Sequence, residues 1–241
     1  MKMKKTLSFI LYTLSFSVAL TLADPVCGGS PIKQCLRVCR HRRQTPAYGQ
    51  GVSVNAKERQ QVMQKFNAAS SSLKSMQCDF VQTKKMKLLK NEMHSKGVMY
   101  FVSPNKLRWQ YNTPYSYVFI LNGNEVQIKS ETSTKKIDTQ RNKMFRQLSS
   151  VILQSITGGH LRNSSDFTID ILKTNNVYSA RLTPKKKELQ RLYNAIDITF
   201  NKNLTMVKSV RMEEKTGDIT TVEILNVKTN TPISETLFKV H

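Results

Sequence analysis

The sequence is short of acid, histidine and cysteine, and past its first residues it has no long apolar run. Each shortage removes a class of function. Only 16 aspartates and glutamates stand against 38 lysines and arginines. The four histidines, His41, His94, His160 and His241, are scattered along the chain. Glu213 and Glu214 are adjacent, so in a strand their carboxylates would point to opposite faces and could not share a substrate. GxSxG, HExxH and Walker patterns are all missing. An enzyme is therefore not expected, nor is any catalytic residue, cofactor or resident metal. The four cysteines, Cys27, Cys35, Cys39 and Cys78, allow three pairings, and free thiols are an equally open reading. Cys35 and Cys39 near His41 lack the CxxC spacing and second ligand pair of a zinc site. There is no internal repeat and no low-complexity segment.

The start of the chain is distinctive. Lys2, Lys4 and Lys5 precede an apolar stretch from Leu7 to Leu22, and Ala23 follows with the small Thr21 two residues before it. The stretch is shorter than the roughly 20 apolar residues of a spanning helix. Residues 1–23 read as a cleavable signal peptide. Asp24-Pro25-Val26 before Cys27 does not suit lipidation of that cysteine, so a soluble mature protein is expected. Residues 24–55 read as a basic, cysteine-containing arm with several prolines and glycines and with Arg37, Arg40, Arg42 and Arg43.

Residues 56–241 hold 30 of the basic residues against 15 acids, so the charge belongs to the main domain. Nucleic acid and anionic lipid headgroups both attract such a surface. Lys84-Lys85-x-Lys87 and Lys185-Lys186-Lys187 come without a zinc-finger or RRM signature, and export favours the lipid surface, so no nucleic-acid partner is expected.

Asn55 is placed to cap a helix running to about Ser75, with Val62, Phe66 and Ala69 on one stripe and Leu73 and Met76 beyond. Strands are expected at 78–86, 97–102, 107–111, 117–121, 125–129, 166–172, 177–182, 195–200, 209–214 and 219–225, with a last one at 235–240. Asn122-Gly123 and Thr216-Gly217-Asp218 mark hairpins. A second helix is expected from Arg141 to Thr157, its apolar face carrying Met144, Phe145, Leu148 and Ile152, stopped by Gly158-Gly159. The outline is mainly β with α (α+β): an antiparallel meander that a sheet of about ten strands tends to curl.

The run Ser95-Lys96-Gly97-Val98-Met99-Tyr100-Phe101-Val102-Ser103-Pro104-Asn105-Lys106-Leu107-Arg108-Trp109-Gln110-Tyr111, followed by Pro114, resembles the periplasmic outer-membrane lipoprotein carrier family, LolA. Phe80-x-Gln82 upstream, and Asn122-Gly123, Leu182-Thr183-Pro184, Gly217-Asp218 and Asn230 to Phe238 downstream, extend the likeness over nearly all of residues 56–241. The resemblance implies a curved, incomplete antiparallel barrel (a half-barrel) closed by helices around an apolar cavity. It implies a monomeric periplasmic carrier in a Gram-negative-type envelope. Such a carrier takes the acyl chains of lipid-modified proteins from an inner-membrane lipoprotein-releasing ABC transporter to an outer-membrane acceptor or an anionic membrane surface.

On this reading Phe80, Phe101, Leu107, Trp109, Met144, Phe145, Leu148 and Ile152 are the acyl-chain binding residues. The helix holding the last four serves as a lid. Tyr100 and Phe101 must face opposite sides of the sheet, and so must Arg108 and Trp109. Some family members have an arginine directly before the proline of the Pro-Asn motif, where it holds the lid; here that residue is Ser103. A carrier or sensor of another amphiphile (a fatty acid, phospholipid or glycolipid) on the same fold is the alternative.

Overall fold

Alternation decides which face each strand buries. The computed structural model describes residues 51–88, 92–142 and 165–239, together with 145, 146, 149 and 153. The expected signal peptide and residues 24–50 of the arm lie outside them. In β2 (Ser75–Lys85) the even-numbered Met76, Cys78, Phe80, Gln82 and Lys84 are buried, while Lys85 is exposed. In β3 (Glu92–Val102) the odd-numbered Ser95, Met99 and Phe101 are buried. This is the period-two signature of a sheet with one face covered.

The remaining strands are β1 (Val52–Ser53), β4 (Lys106–Thr113), β5 (Tyr117–Asn122), β6 (Glu125–Ser130), β7 (Thr134–Asp138), β8 (Phe167–Thr174), β9 (Val177–Pro184), β10 (Tyr193–Phe200), β11 (Val207–Glu214) and β12 (Ile219–Thr229). All pair antiparallel in one open sheet of order β1-β8-β9-β10-β11-β12-β2-β3-β4-β5-β6-β7. Two meanders, β2–β7 and β8–β12, are thus joined where β12 pairs with β2, from Ile219↔Lys85 to Thr229↔Met76. Gly123 opens the β5–β6 turn with φ +61° and Gly217 the β11–β12 turn with φ +88°. Asn175 and Asn176, both at positive φ, close the β8–β9 hairpin.

One long helix, α1 (Ala56–Ser71), lies on the β8–β11 half. The Asn55 side chain caps it by accepting the Glu58 N–H at 2.9 Å. Val62 and Phe66 pack into a cluster with Phe167, Ile171, Ala180, Leu182, Ile198 and Phe200, and the Phe66 and Phe200 rings are 4.7 Å apart. Polar ties hold the helix in register. Glu58 Oε1 accepts from Lys173 Nζ at 2.8 Å and from the Tyr178 hydroxyl at 2.6 Å, and these bonds lower the Glu58 pKa. On the opposite face Asp197 is paired with Arg181 and Arg211 at 3.2 Å each. Burial raises the Asp197 pKa against the pull of both guanidinium groups.

The structure corrects several expectations. The helix ends at Ser71 rather than near Ser75, because Ser71 and Ser72 turn their hydroxyls back on the carbonyls of Asn67 and Ala69 at 2.8 Å. Met76 consequently belongs to β2. The segment expected as a last strand is a 3-10 helix, Glu235–Phe238, started by Ser234, whose Oγ accepts the Thr236 N–H. Both edges of β12 are already taken by β11 and β2, so a further strand has no partner there. β7 was not expected: its single apolar residue, Ile137, gives no alternation, as suits a charged edge strand. Val52 and Ser53, within the expected arm, pair with β8, and a short helix α2 (Lys187–Gln190) sits between β9 and β10.

Candidate functional site: the inner face of β2–β6

Residues directly opposite in an antiparallel pair share a face, so successive cross-strand partners form rows across the sheet. The face that α1 covers on β8–β11 continues across β12 onto β2–β6. One row runs Met76, Phe101, Leu107, Leu121, Val126. The next runs Cys78, Met99, Trp109, Phe119, Ile128. A third runs Ile224, Phe80, Gly97, Tyr111, Tyr117. Nearly every member of the first two rows is buried; Trp109 is half-buried.

Four of the expected acyl-binding residues therefore meet on one surface: Phe80, Phe101, Leu107 and Trp109. Phe101 faces inward and Tyr100 outward. Of the other four, Phe145 is buried and helical, near the start of a turn capped by Asn142, whose Oδ1 accepts the Phe145 N–H. Met144, Leu148 and Ile152 lie outside the described residues.

Gly97 explains how so many rings fit. A Cβ there would lie 1.9 Å from the Gln110 carbonyl oxygen and 2.7 Å from the Phe80 ring. Phe80 thus packs directly against a bare backbone. From there it meets Trp109 at 5.1 Å between ring centroids and Tyr111 edge-on at 5.0 Å. The Tyr111 hydroxyl donates to Gln82 Oε1 at 2.9 Å, and burial pushes its pKa upward. Cys78, a free thiol in the middle row, is held by burial at a pKa of about 12, so it stays a neutral, apolar lining atom.

Polarity rises along the face. Beyond the aromatic row come Gln82 and Ser95, then Lys84 opposite Thr220. The buried Lys84 is paired with Glu214 at 3.4 Å and lies 4.0 Å from Asp218. The expected list missed this gradient, as it missed Tyr111 and Met99. Period-two counting from Trp109 would have reached Tyr111, and the cross-strand partner of Trp109, Met99, needs the register.

Arg108 points outward, as alternation requires. There it binds Gln110 through Nε and Nη2 and donates from Nη1 to the Leu237 carbonyl at 3.1 Å. Asn122 adds a bond to the Phe238 carbonyl, and Lys106 pairs with Glu235. The C-terminal 3-10 segment is thereby strapped across the outside of β4 and β5. Ser103, standing where some relatives have the lid arginine, makes a backbone bond to the Lys74 carbonyl. Among the described residues no helix is long and apolar enough to cross a membrane.

The described residues thus form one open antiparallel sheet with an apolar, aromatic-rich face. Residues 71–241 match the family model described as outer membrane lipoprotein carrier protein LolA, and the chain belongs to that family, whose members are carriers and not enzymes. It is 24% identical over 169 residues to an outer-membrane lipoprotein carrier protein of Pseudoalteromonas translucida (strain TAC 125), covering 70% of this chain and 77% of that protein. The corresponding protein of Methylococcus capsulatus (strain Bath) is 23% identical over the same shares of each chain. A LolA superfamily crystal structure from Nitrosomonas europaea matches 78% of this chain and 98% of its own, at 10% identity and a TM-score of 0.42.

Proposed function

We propose that the mature protein is a monomeric periplasmic carrier that shelters the acyl chains of lipid-modified proteins on the inner face of β2–β6. It would follow export by the signal peptide at residues 1–23, and residues 24–55 would form an arm ahead of the carrier domain. It would receive cargo from an inner-membrane ABC transporter and yield it to an outer-membrane acceptor or an anionic bilayer. The observation that carries the reading is the run of adjoining apolar rows, with Phe80, Phe101, Leu107 and Trp109 among them. The helix of Met144, Phe145, Leu148 and Ile152 would complete the enclosure as a lid.

Energetics fit reversible transport. Each sheltered methylene contributes about 0.8 kcal/mol, so a partly covered acyl chain binds without any covalent or ATP-driven step in the carrier itself. Methionines such as Met76 and Met99 accommodate chains of differing shape because the thioether is flexible and polarisable. Release is expected to differ from relatives with a lid arginine, since Ser103 stands at that position and Arg108, on the outer face, is held by the C-terminal strap.

The test is a release assay with inner-membrane vesicles, their transporter and ATP, a labelled lipoprotein and the mature protein. Soluble lipoprotein in a one-to-one complex with the protein supports the reading. No release, with binding of free fatty acid or phospholipid instead, would move the assignment to a carrier or sensor of another amphiphile.

A further inference from the structure

Leu88 is the most exposed large apolar side chain among the described residues, at 94%. Its position gives that exposure meaning. It follows β2 in the turn towards β3, on a hairpin that outruns its neighbour. β3 pairs with β4 only from Lys96↔Thr113, so Glu92 to Ser95 project past β4 by about 13 Å at 3.3 Å per residue.

Cations surround it. The Lys87 side chain covers Gly217, where a Cβ would sit 2.6 Å from Lys87 Cδ, and the Lys87 N–H donates to Asp218 Oδ1 at 3.0 Å. The β11–β12 turn beside it carries Lys215, whose N–H donates to the Leu192 carbonyl at 2.9 Å. That bond ties in the β9–β10 connection with Lys185, Lys186, Lys187 and Arg191, all exposed. The acids described at this rim are engaged: Glu92 with Lys85 at 2.7 Å, Asp166 with Lys186 at 2.5 Å, Glu214 and Asp218 with Lys84, and Glu131 with the Ser116 N–H. Lys87, Lys185, Lys187, Arg191 and Lys215 have no ion pair among the described residues. The polar end of the inner face, Lys84 and the fully buried Thr220, whose Oγ1 has no hydrogen-bond partner among the described residues, lies at the same rim.

We infer that this rim docks on the anionic headgroup surface of a bilayer, Leu88 entering the headgroup layer and these five cations lying over the phosphates. Charge complementarity selects the partner, and the inner face would then turn its polar end, not its apolar rows, to the membrane. The inference takes its purpose, though not its chemistry, from the carrier reading.

Sedimentation of the cargo-free mature protein with vesicles of phosphatidylethanolamine and phosphatidylglycerol, against phosphatidylcholine alone, tests it. A cation near an anionic surface strengthens binding about fivefold, so the triple variant Lys185→Gln, Lys187→Gln, Lys215→Gln should bind roughly 100-fold more weakly. Leu88→Ser should lower binding about tenfold, and raised salt should weaken the wild type. Lys74→Gln with Lys202→Gln, on the opposite rim, should leave it unchanged. Equal loss from the opposite-rim pair, or binding indifferent to Leu88 and the triple, overturns the inference. So does retention by single-stranded DNA with no vesicle binding. Acyl binding is followed separately through Trp109 emission. Vesicle binding lost with acyl binding intact sinks the docking alone, whereas the reverse sinks the carrier reading and leaves the docking standing.

Discussion

The two halves of the sheet share one face and one strand geometry yet bury different chemistry. On β8–β11 the face is mostly aliphatic, with Ile171, Ala180, Leu182 and Ile198 beside Phe167 and Phe200, capped by Val62 and Phe66 of α1. On β2–β6 it is aromatic and sulfur-bearing, with Phe80, Trp109, Tyr111, Met99 and Cys78, and it grades into Gln82 and Lys84. Branched aliphatics against a fixed helix make a packed core that resists change. Flexible thioethers, rings and a polar margin make a surface that can accept a variable amphiphile. The first half supplies stability, and the second is proposed to supply function.

That division can be broken by experiment. The largest effect expected is from Phe66→Ala, which should lower unfolding free energy by about 3–5 kcal/mol in urea melts while leaving acyl affinity per folded molecule unchanged. A parallel loss of affinity would show that the halves are coupled. Gly97→Ala forces the Phe80 ring and the Gln110 carbonyl apart and should lower stability by about 1–3 kcal/mol. Unlike Phe66→Ala, it should also weaken acyl binding.

Leu107→Glu should fold, as checked by circular dichroism, and lose at least about tenfold in acyl affinity, because the carboxylate would be desolvated beside the chain. Unaltered affinity would remove Leu107 from the site. In the wild type, Trp109 emission should shift to the blue on saturation with an acyl ligand. A spectrum that does not move would place the ligand elsewhere.

The smallest effect concerns the docking of α1. Lys173 and Tyr178 lower the Glu58 pKa, so their stabilisation is complete above the ordinary carboxylate pKa and disappears as pH falls through the lowered value. Glu58→Gln should therefore have a lower urea midpoint than wild type at pH 7, and the gap should close in acid. A gap of equal size at both pH values would mean that the carboxylate charge is not what holds the helix.

Much of this was legible beforehand. Alternation located the strands holding Phe80, Phe101, Leu107 and Trp109, and assigned Arg108 and Tyr100 to the opposite face. The Asn55 cap and the apolar spacing of Val62 and Phe66 located α1. The signals failed where a short segment depends on distant partners. Glu235–Phe238 has the composition of a strand but finds no free edge, and β7 is too charged to alternate. Serines 71 and 72 ended α1 by local bonds that apolar spacing does not register.

The sequence by itself determined the family, the antiparallel meander and which side chains share a face, because strand alternation and turn chemistry are local and act through neighbouring residues. Only the tertiary structure decided that β12 closes onto β2, that Gly97 makes room for Phe80, and that Leu88 rises among cations drawn from three separate turns. Those outcomes depend on pairing register and on contacts between strands and turns that are not neighbours in the sequence, which a linear pattern cannot encode.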